Sequence, residues 1–148
     1  MKKIIVIMII VVFAMAPFAS ADNKKINWLS YKEGIALSKK TNKNVFIFFH
    51  TTWCKYCEQM KKTTFKNKKV IGYLNTNFIP ITVDGDKEKD IVKKYKIRGY
   101  PDSVFVVDGK KFHRPGYVPE ETFYVILSYV HTKSYQKMSF SKFLKLNG

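Results

Sequence analysis

Apolar residues occur along the chain in two arrangements, short unbroken runs and stretches with helical spacing. Runs of about 4–8 residues rich in β-branched and aromatic side chains are typical of buried strands, whereas apolar positions that recur every three to four residues predict amphipathic helices. With the turn residues that separate them, the predicted strands are 45–49, 78–83, 103–107 and 110–114. The predicted helices are about 30–41, 54–64, 68–75, 87–96 and one that opens at residue 119.

Local signals support these boundaries. Ser30 and Glu33 have the spacing of a capping box, in which each side chain satisfies a backbone donor at the start of a helix. Asp108 and Gly109 are the pair that a tight hairpin prefers. Pro80 fits its strand only if its missing N–H faces away from a partner strand. The order of elements predicts an α/β fold, a central mixed sheet built from a β-α-β unit and then a β-β-α unit, flanked by helices.

The first residues have the order of a secretory signal. Lys2 and Lys3 precede an apolar run that starts at Ile4, and the small residues 19–21 follow it. The run is shorter than the roughly 18 apolar residues of a membrane-spanning helix. We therefore predict a cleaved signal peptide at residues 1–21 and an exported protein of the periplasm or another extracytoplasmic space. An uncleaved N-terminal anchor is the alternative.

Residues 22–148 are enough for one domain with its own hydrophobic core. The final segment, about residues 134–148, carries apolar side chains among lysines and predicts a short amphipathic tail. We expect this tail to dock on the domain. No internal repeat divides the chain, and we expect it to act as a monomer.

Basic residues outnumber acids by 27 to 11, which gives a formal charge of +16 at pH 7. Such a charge attracts nucleic acids, anionic lipids or acidic proteins. The lysines occur as scattered pairs such as Lys39-Lys40 and Lys93-Lys94, and no nucleic-acid-binding motif is present. We therefore expect no binding to nucleic acid, and we retain a membrane surface or acidic proteins as alternative partners.

The chain contains two cysteines, Cys54 and Cys57, which are too close in sequence to join distant segments. They follow the strand 45–49 directly and open the next predicted helix. Free N–H groups and the positive end of the helix dipole stabilise a thiolate there, and Lys55 adds positive charge. We predict that the pair is a catalytic, redox-active disulfide, with Cys54 as nucleophile and Cys57 as the residue that resolves the mixed disulfide.

The same spacing also occurs in half of a zinc site. The chain has no second cysteine pair, so His50, His113 and His131 would have to complete the ligand set. We expect neither a metal nor another cofactor. His50, which lies nearest to the cysteines in sequence, is instead a candidate for tuning the thiol.

Two motifs together, Trp53-Cys54-x-x-Cys57 and residues 95–101, resemble the thioredoxin family. The similarity spans about residues 26–131 and is closer to exported, single-domain members. It implies the thioredoxin fold and disulfide exchange with protein substrates.

The resemblance also implies roles for residues around the cysteines. It implies a cis peptide bond between Tyr100 and Pro101 that faces the cysteine pair and shapes a substrate groove. Trp53 and Tyr56 are expected to offer apolar surface for partner recognition. The chain departs from cytoplasmic thioredoxins at Phe48, where those proteins carry a buried aspartate, and in the Lys-Tyr dipeptide between the cysteines. These departures leave the direction of electron flow open.

We therefore expect a thiol:disulfide oxidoreductase that exchanges disulfides with exported proteins, and we favour the reductase direction. An exported reductant cannot draw electrons directly from a cytoplasmic reductase, so we predict a membrane electron-transfer partner. The alternative is a non-catalytic module that uses the same cysteines to bind a metal or a partner.

Overall fold

Four strands form one mixed sheet in the computed structural model, which describes residues 24–148. Numbered along the chain, they are β1 (Asn44–His50), β2 (Phe78–Asp84), β3 (Asp102–Val107) and β4 (Lys110–Pro115). Their spatial order is β2-β1-β3-β4, with β1 and β2 parallel and the other two neighbouring pairs antiparallel. This sheet confirms the predicted α/β fold. The predicted signal peptide, residues 1–21, lies outside the described residues and stays a prediction.

Helices cover both faces of the sheet. They are α1 (Tyr31–Thr41), α2 (Lys55–Lys62), α3 (Lys68–Asn77), α4 (Lys89–Lys94), α5 (Glu120–His131) and α6 (Phe140–Asn147). Short 3-10 helices lie at Thr64–Lys66 and Ser134–Gln136. None of the helices in the described part of the chain is long and apolar enough to cross a membrane.

The turn signals act as predicted, with one correction. The Ser30 Oγ accepts a hydrogen bond from the Glu33 N–H at 3.4 Å, and the Glu33 carboxylate accepts one from the Ser30 N–H at 3.2 Å. Asp108 and Gly109 have φ angles of 50° and 74°, as a two-residue hairpin with two left-handed residues requires. The helix predicted over 87–96 is shorter at both ends, and at its carboxyl end Lys96 has a φ of 55°, the left-handed conformation that closes a helix.

Strand β1 is buried on both faces, as its unbroken apolar pattern predicts. Phe46 and Phe48 belong to the cluster under α2, α3 and α5, whereas Ile47 and Phe49 belong to the cluster under α1 and α4. These two layers fix β1 firmly in the domain. The loop that carries the cysteines starts at its carboxyl end.

Pro80 lies in β2 with the side that lacks an N–H turned away from β1. The Pro80 carbonyl oxygen accepts a hydrogen bond from the Leu29 N–H at 2.9 Å, and the Leu29 carbonyl oxygen accepts one from the Thr82 N–H at 3.1 Å. In an extended strand, the N–H and C=O of one residue point to the same side. The missing N–H of Pro80 therefore faces Leu29 and not β1, as the sequence requires.

The C-terminal tail docks on α5. Phe143 of α6 is buried, and the ring centroid of Tyr129 on α5 lies 5.2 Å from that of Phe143 and 5.4 Å from that of Phe140. The Tyr129 hydroxyl donates a hydrogen bond to the Met138 carbonyl oxygen at 2.7 Å. The tail is therefore an integral part of the domain.

Candidate active site

The two cysteines lie at the amino end of α2. Cys54 is the N-cap residue, and its Sγ accepts a hydrogen bond from the Cys57 N–H at 3.1 Å. The two side chains form a disulfide, with a Cα–Cα distance of 5.2 Å. Both cysteines are buried, but Cys54 keeps an exposed fraction of 5% whereas Cys57 has 0%. Of the two residues, Cys54 is therefore the more accessible to a partner in solution.

The environment of Cys54 favours a thiolate once the disulfide is reduced. Its Sγ already receives one backbone N–H of the first turn of α2, and helix N-termini stabilise negative charge. Lys55 follows directly and has an exposed side chain. The one acid in that turn, Glu58, forms a salt bridge with Lys61 at 2.9 Å.

A groove of about 450 Å³ opens beside Cys54. Its walls come from the loop before α2 and from the exposed side of that helix, namely residues 52–55 with Glu58, Gln59, Lys62 and Thr63. Of the residues that we predicted to bind substrate, Trp53 lines this groove, whereas Tyr56, Tyr100 and Pro101 do not. The exposed fractions of Trp53 and Tyr56 are 69% and 62%, which leaves both side chains open to a partner.

Asp86 holds the loop before α2. Its carboxylate accepts hydrogen bonds from the Thr52 N–H at 3.3 Å, the Thr52 hydroxyl at 3.2 Å and the Trp53 Nε1–H at 3.1 Å. Desolvation opposes ionisation, but these donors together lower the pKa of Asp86 below its ordinary value. Sequence reasoning missed this role, because Asp86 lies between a predicted strand and a predicted helix, 33 residues from Trp53 along the chain.

The peptide bond between Tyr100 and Pro101 is cis. The Tyr100 ring lies edge-on to Trp53, with 6.0 Å between the ring centroids, and packs against Gly85. The Pro101 carbonyl oxygen accepts a hydrogen bond from the Gly116 N–H at 2.8 Å. Through the contact with Trp53, this segment lies beside the residue that precedes Cys54. Desolvation, and then the charges of Asp86 and Asp84, raise the pKa of the Tyr100 hydroxyl.

His50 ends β1, and its ring stacks on Phe48 with 5.6 Å between centroids. Burial, followed by the charge of Lys61, lowers the pKa of His50, so its imidazole is neutral at pH 7. The Nδ1 atom is buried without a hydrogen-bond partner. Phe48 itself is 1% exposed and contributes no ionisable group below the cysteines.

Asp102 was also missed by sequence reasoning, although a carboxylate directly after Pro101, at the start of a mostly apolar strand, was a usable signal. It is 5% exposed, and one oxygen lies 3.2 Å from His113 Nδ1. Burial raises the pKa of Asp102, and the hydrogen bond to His113 opposes that shift.

The three histidines do not gather around the cysteines. Within residues 24–148, no group of three or more His, Cys, Asp or Glu side chains lies close enough together to hold a metal ion. His131 instead contacts the rings of Tyr73 and Phe78, at 5.8 Å between centroids in each case.

Comparison with known proteins places this geometry in a family. A family model described as a thioredoxin-like domain matches residues 31–131. The chain belongs to the thioredoxin-like family. Disulfide bond reductase DsbH of Chlamydia pneumoniae is 26% identical to it over 116 residues, which cover 70% of this chain and 68% of DsbH. An uncharacterised protein of Archaeoglobus fulgidus is 31% identical over 96 residues, which cover 63% of this chain and 75% of that protein.

The solved structures agree with the family. The solution structure of a thioredoxin from Thermus thermophilus superimposes on this thioredoxin-like protein with a TM-score of 0.64 at 25% identity, over 74% of this chain and 89% of the other. The family and the Cys54–Cys57 disulfide identify the thioredoxin-like protein as a disulfide oxidoreductase. The resemblance drawn from the sequence motifs is thereby confirmed.

Replacing Gly85 by Ala is expected to disturb the Tyr100–Pro101 segment of the thioredoxin-like protein. Gly85 is buried, and an added Cβ would collide with the ring and hydroxyl of Tyr100, which also contacts Trp53. Overpacking of this kind costs about 1–3 kcal/mol of unfolding free energy. Urea denaturation measures this loss, and tryptophan fluorescence reports the displaced contact with Trp53.

Gly72→Ala is the matched control. Gly72 lies within α3, and an added Cβ would meet nothing within 4 Å. Alanine is the better helix former, so this variant is expected to gain about 0.5–1 kcal/mol. Equal losses in the two variants would contradict the role assigned to the Gly85–Tyr100 contact.

Proposed function

We propose that the protein reduces disulfides in exported proteins, with Cys54 as the nucleophile and Cys57 as the resolving residue. The observation that carries the proposal is the asymmetry of the pair, since Cys54 lines a groove and is slightly exposed, whereas Cys57 is fully buried and does not line it. The similarity to a protein named disulfide bond reductase supports the reductive direction.

The reaction begins with the dithiol form. The Cys54 thiolate attacks one sulfur of a substrate disulfide, the substrate S–S bond breaks, and the second substrate sulfur leaves as a thiolate that takes up a proton. Cys57 then loses its proton and attacks Cys54 Sγ, which releases the first substrate sulfur. Two electrons pass to the substrate, and the protein is left with the Cys54–Cys57 disulfide that the structure contains.

Side chains around the pair are assigned supporting roles. We propose that the substrate peptide lies on a surface formed by Trp53, Tyr56, Tyr100 and Pro101. Three of them are tied together, because Trp53 contacts Tyr100 and Tyr100 precedes the cis bond to Pro101. Lys55 and His50 are proposed to tune the thiol, Lys55 by its charge and His50 as a neutral ring near the end of β1.

Export is part of the proposal. The basic and apolar pattern of residues 1–21 supports a signal peptide and an extracytoplasmic location for the mature, monomeric domain. Outside the cytoplasm, the Cys54–Cys57 disulfide must be reduced again by a dithiol donor that spans or reaches across the membrane, so a membrane electron-transfer partner is included.

We expect the Cys54–Cys57 pair to have a low, strongly negative reduction potential. Equilibration with mixtures of reduced and oxidised glutathione, followed by mass spectrometry of the alkylated protein, measures it. A reductase should give a value close to the roughly −270 mV of thioredoxin. A value near the roughly −120 mV of a strong oxidant would reverse the proposed direction while leaving the exchange chemistry intact.

A further inference from the structure

A basic pocket lies on the side of β4 that faces α4. It has a volume of about 370 Å³, and its lining residues are Lys94, Tyr95, Lys96, Arg98, Lys111 and His113. Four of these six carry a permanent positive charge, and all four of those side chains are exposed. The pocket therefore concentrates positive charge more strongly than the scattered lysine pairs seen in the sequence.

The backbone holds the pocket cations in place. Lys96 takes a left-handed conformation, and the turn is closed by hydrogen bonds from Lys96 N–H to Lys93 O and from Ile97 N–H to Val92 O, both at 3.0 Å. Across the pocket, the Lys111 Nζ lies 4.7 Å from the centroid of the Tyr95 ring. A closed turn therefore presents Lys96, and a paired strand presents Lys111.

The pocket charges are not neutralised by ion pairs of the domain. Within residues 24–148, salt bridges join Lys61 with Glu58, Lys87 with Asp84, His113 with Asp102 and Lys133 with Asp108. None of the four pocket cations takes part in them. Like charges that converge without counter-charges create a positive potential, which an anionic ligand would relieve.

The pocket borders the segment that we propose to hold the substrate. His113 at its edge contacts Asp102, and Asp102 follows Pro101 directly. On the other side, Arg98 precedes Tyr100 by two residues. A peptide that lies along Tyr100 and Pro101 therefore has the pocket within reach of its flanking residues.

We propose that the basic pocket binds an acidic stretch, rich in Asp and Glu, that flanks the reactive disulfide of the substrate protein. The inference rests on the proposed function, because it names the class of substrate that this site prefers. Carboxylates of the substrate would take the place of the missing counter-charges. Their attraction to the pocket would mainly increase the rate at which the substrate associates with the protein.

Two synthetic peptides test the preference. They carry the same disulfide, and one is flanked by glutamates where the other has glutamines. At low ionic strength, we expect kcat/KM of the wild-type protein to be about tenfold higher for the glutamate peptide. The ratio should fall towards one in high salt, because salt screens exposed charges. Equal values at low salt would overturn the proposal.

Charge-reversal variants test whether the preference for the glutamate peptide depends on the basic pocket. The variant Lys96→Glu, Arg98→Glu, Lys111→Glu should lose the preference and keep kcat/KM for the glutamine peptide. The control Lys68→Glu, Lys69→Glu, Lys142→Glu changes the net charge equally at exposed first-turn positions of α3 and α6, where acids are favourable. An equal loss in the control would show that overall charge, and not the pocket, sets the preference.

A binding measurement separates this inference from the proposed function. Fluorescence anisotropy of disulfide-free glutamate and glutamine peptides, titrated with the oxidised protein, requires no turnover. Tighter binding of the glutamate peptide that is lost in the pocket variant supports the pocket even if the reductase assignment fails. If the charge-reversal variant does not fold, glutamine at the same three positions removes the charge with smaller repulsion and is expected to abolish the preference.

Discussion

Cys54→Ser is expected to reduce insulin disulfides no faster than the uncatalysed background, whereas Cys57→Ser is expected to stop after the first half of the reaction. The reason is their difference in accessibility, since Cys54 lines the groove and is 5% exposed, whereas Cys57 is 0% exposed. Without Cys54, no sulfur of the pair can meet a substrate. Without Cys57, the mixed disulfide on Cys54 has no internal sulfur to resolve it.

Trapping shows the difference directly. Cys57→Ser should accumulate a covalent adduct with a disulfide substrate, which is visible on a non-reducing gel and released by dithiothreitol. Cys54→Ser should form none. An adduct on Cys57 in the Cys54→Ser variant, with none in the other, would exchange the two assigned roles. With extracts of the native cells, the adduct of Cys57→Ser also identifies natural substrates by mass spectrometry.

Phe46→Ala is expected to lower the free energy of unfolding by about 3–5 kcal/mol, the usual cost of truncating a buried aromatic side chain. Phe46 is fully buried in β1. Its ring centroid lies 5.2 to 6.1 Å from those of Phe105, Phe123, Trp28 and Phe65. The truncation therefore leaves a cavity. Its walls come from several elements, which cannot all move inward to fill it. Such a loss is a large share of the roughly 5–15 kcal/mol that stabilises a domain.

Urea denaturation of the oxidised protein measures this loss. Leu146→Ala is the matched control, because Leu146 is an apolar residue of α6 that is 66% exposed. Surface substitutions of this kind usually stay within about 0.5 kcal/mol of the parent. A loss for Phe46→Ala as small as that of the control would mean that the aromatic cluster does not dominate the core.

The secondary structure could be predicted from the sequence because its signals are local. The unbroken run 45–49 marks a strand buried on both faces, Ser30 and Glu33 form the cap that their spacing indicates, and Asp108-Gly109 forms the hairpin turn. The chain order of these elements was enough for the fold, because few connections are compatible with a right-handed crossover.

The sequence predicted those residues of the candidate site that belong to a recognisable motif. It missed the residues that join the site only through the fold. Asp86 is 33 residues from Trp53 along the chain, and their hydrogen bond depends on how the turn after β2 meets the loop before α2. The contact between Asp102 and His113 likewise depends on the register of β3 and β4. Hydrophobic periodicity carries no information on such polar contacts. The predicted length of α4 was also too great, because the left-handed residue after this helix is Lys96 and not the glycine or asparagine that usually marks a helix end.

The two outer strands of the sheet resist the addition of another chain by different means. Along β2, Leu29 takes up the Pro80 carbonyl oxygen and the Thr82 N–H, and Pro80 has no N–H to offer. Along β4, exposed Lys110, Lys111 and Arg114 repel a second basic copy, and Pro115 ends the strand. A domain that is rich in aromatic strands is thereby protected against edge-to-edge aggregation.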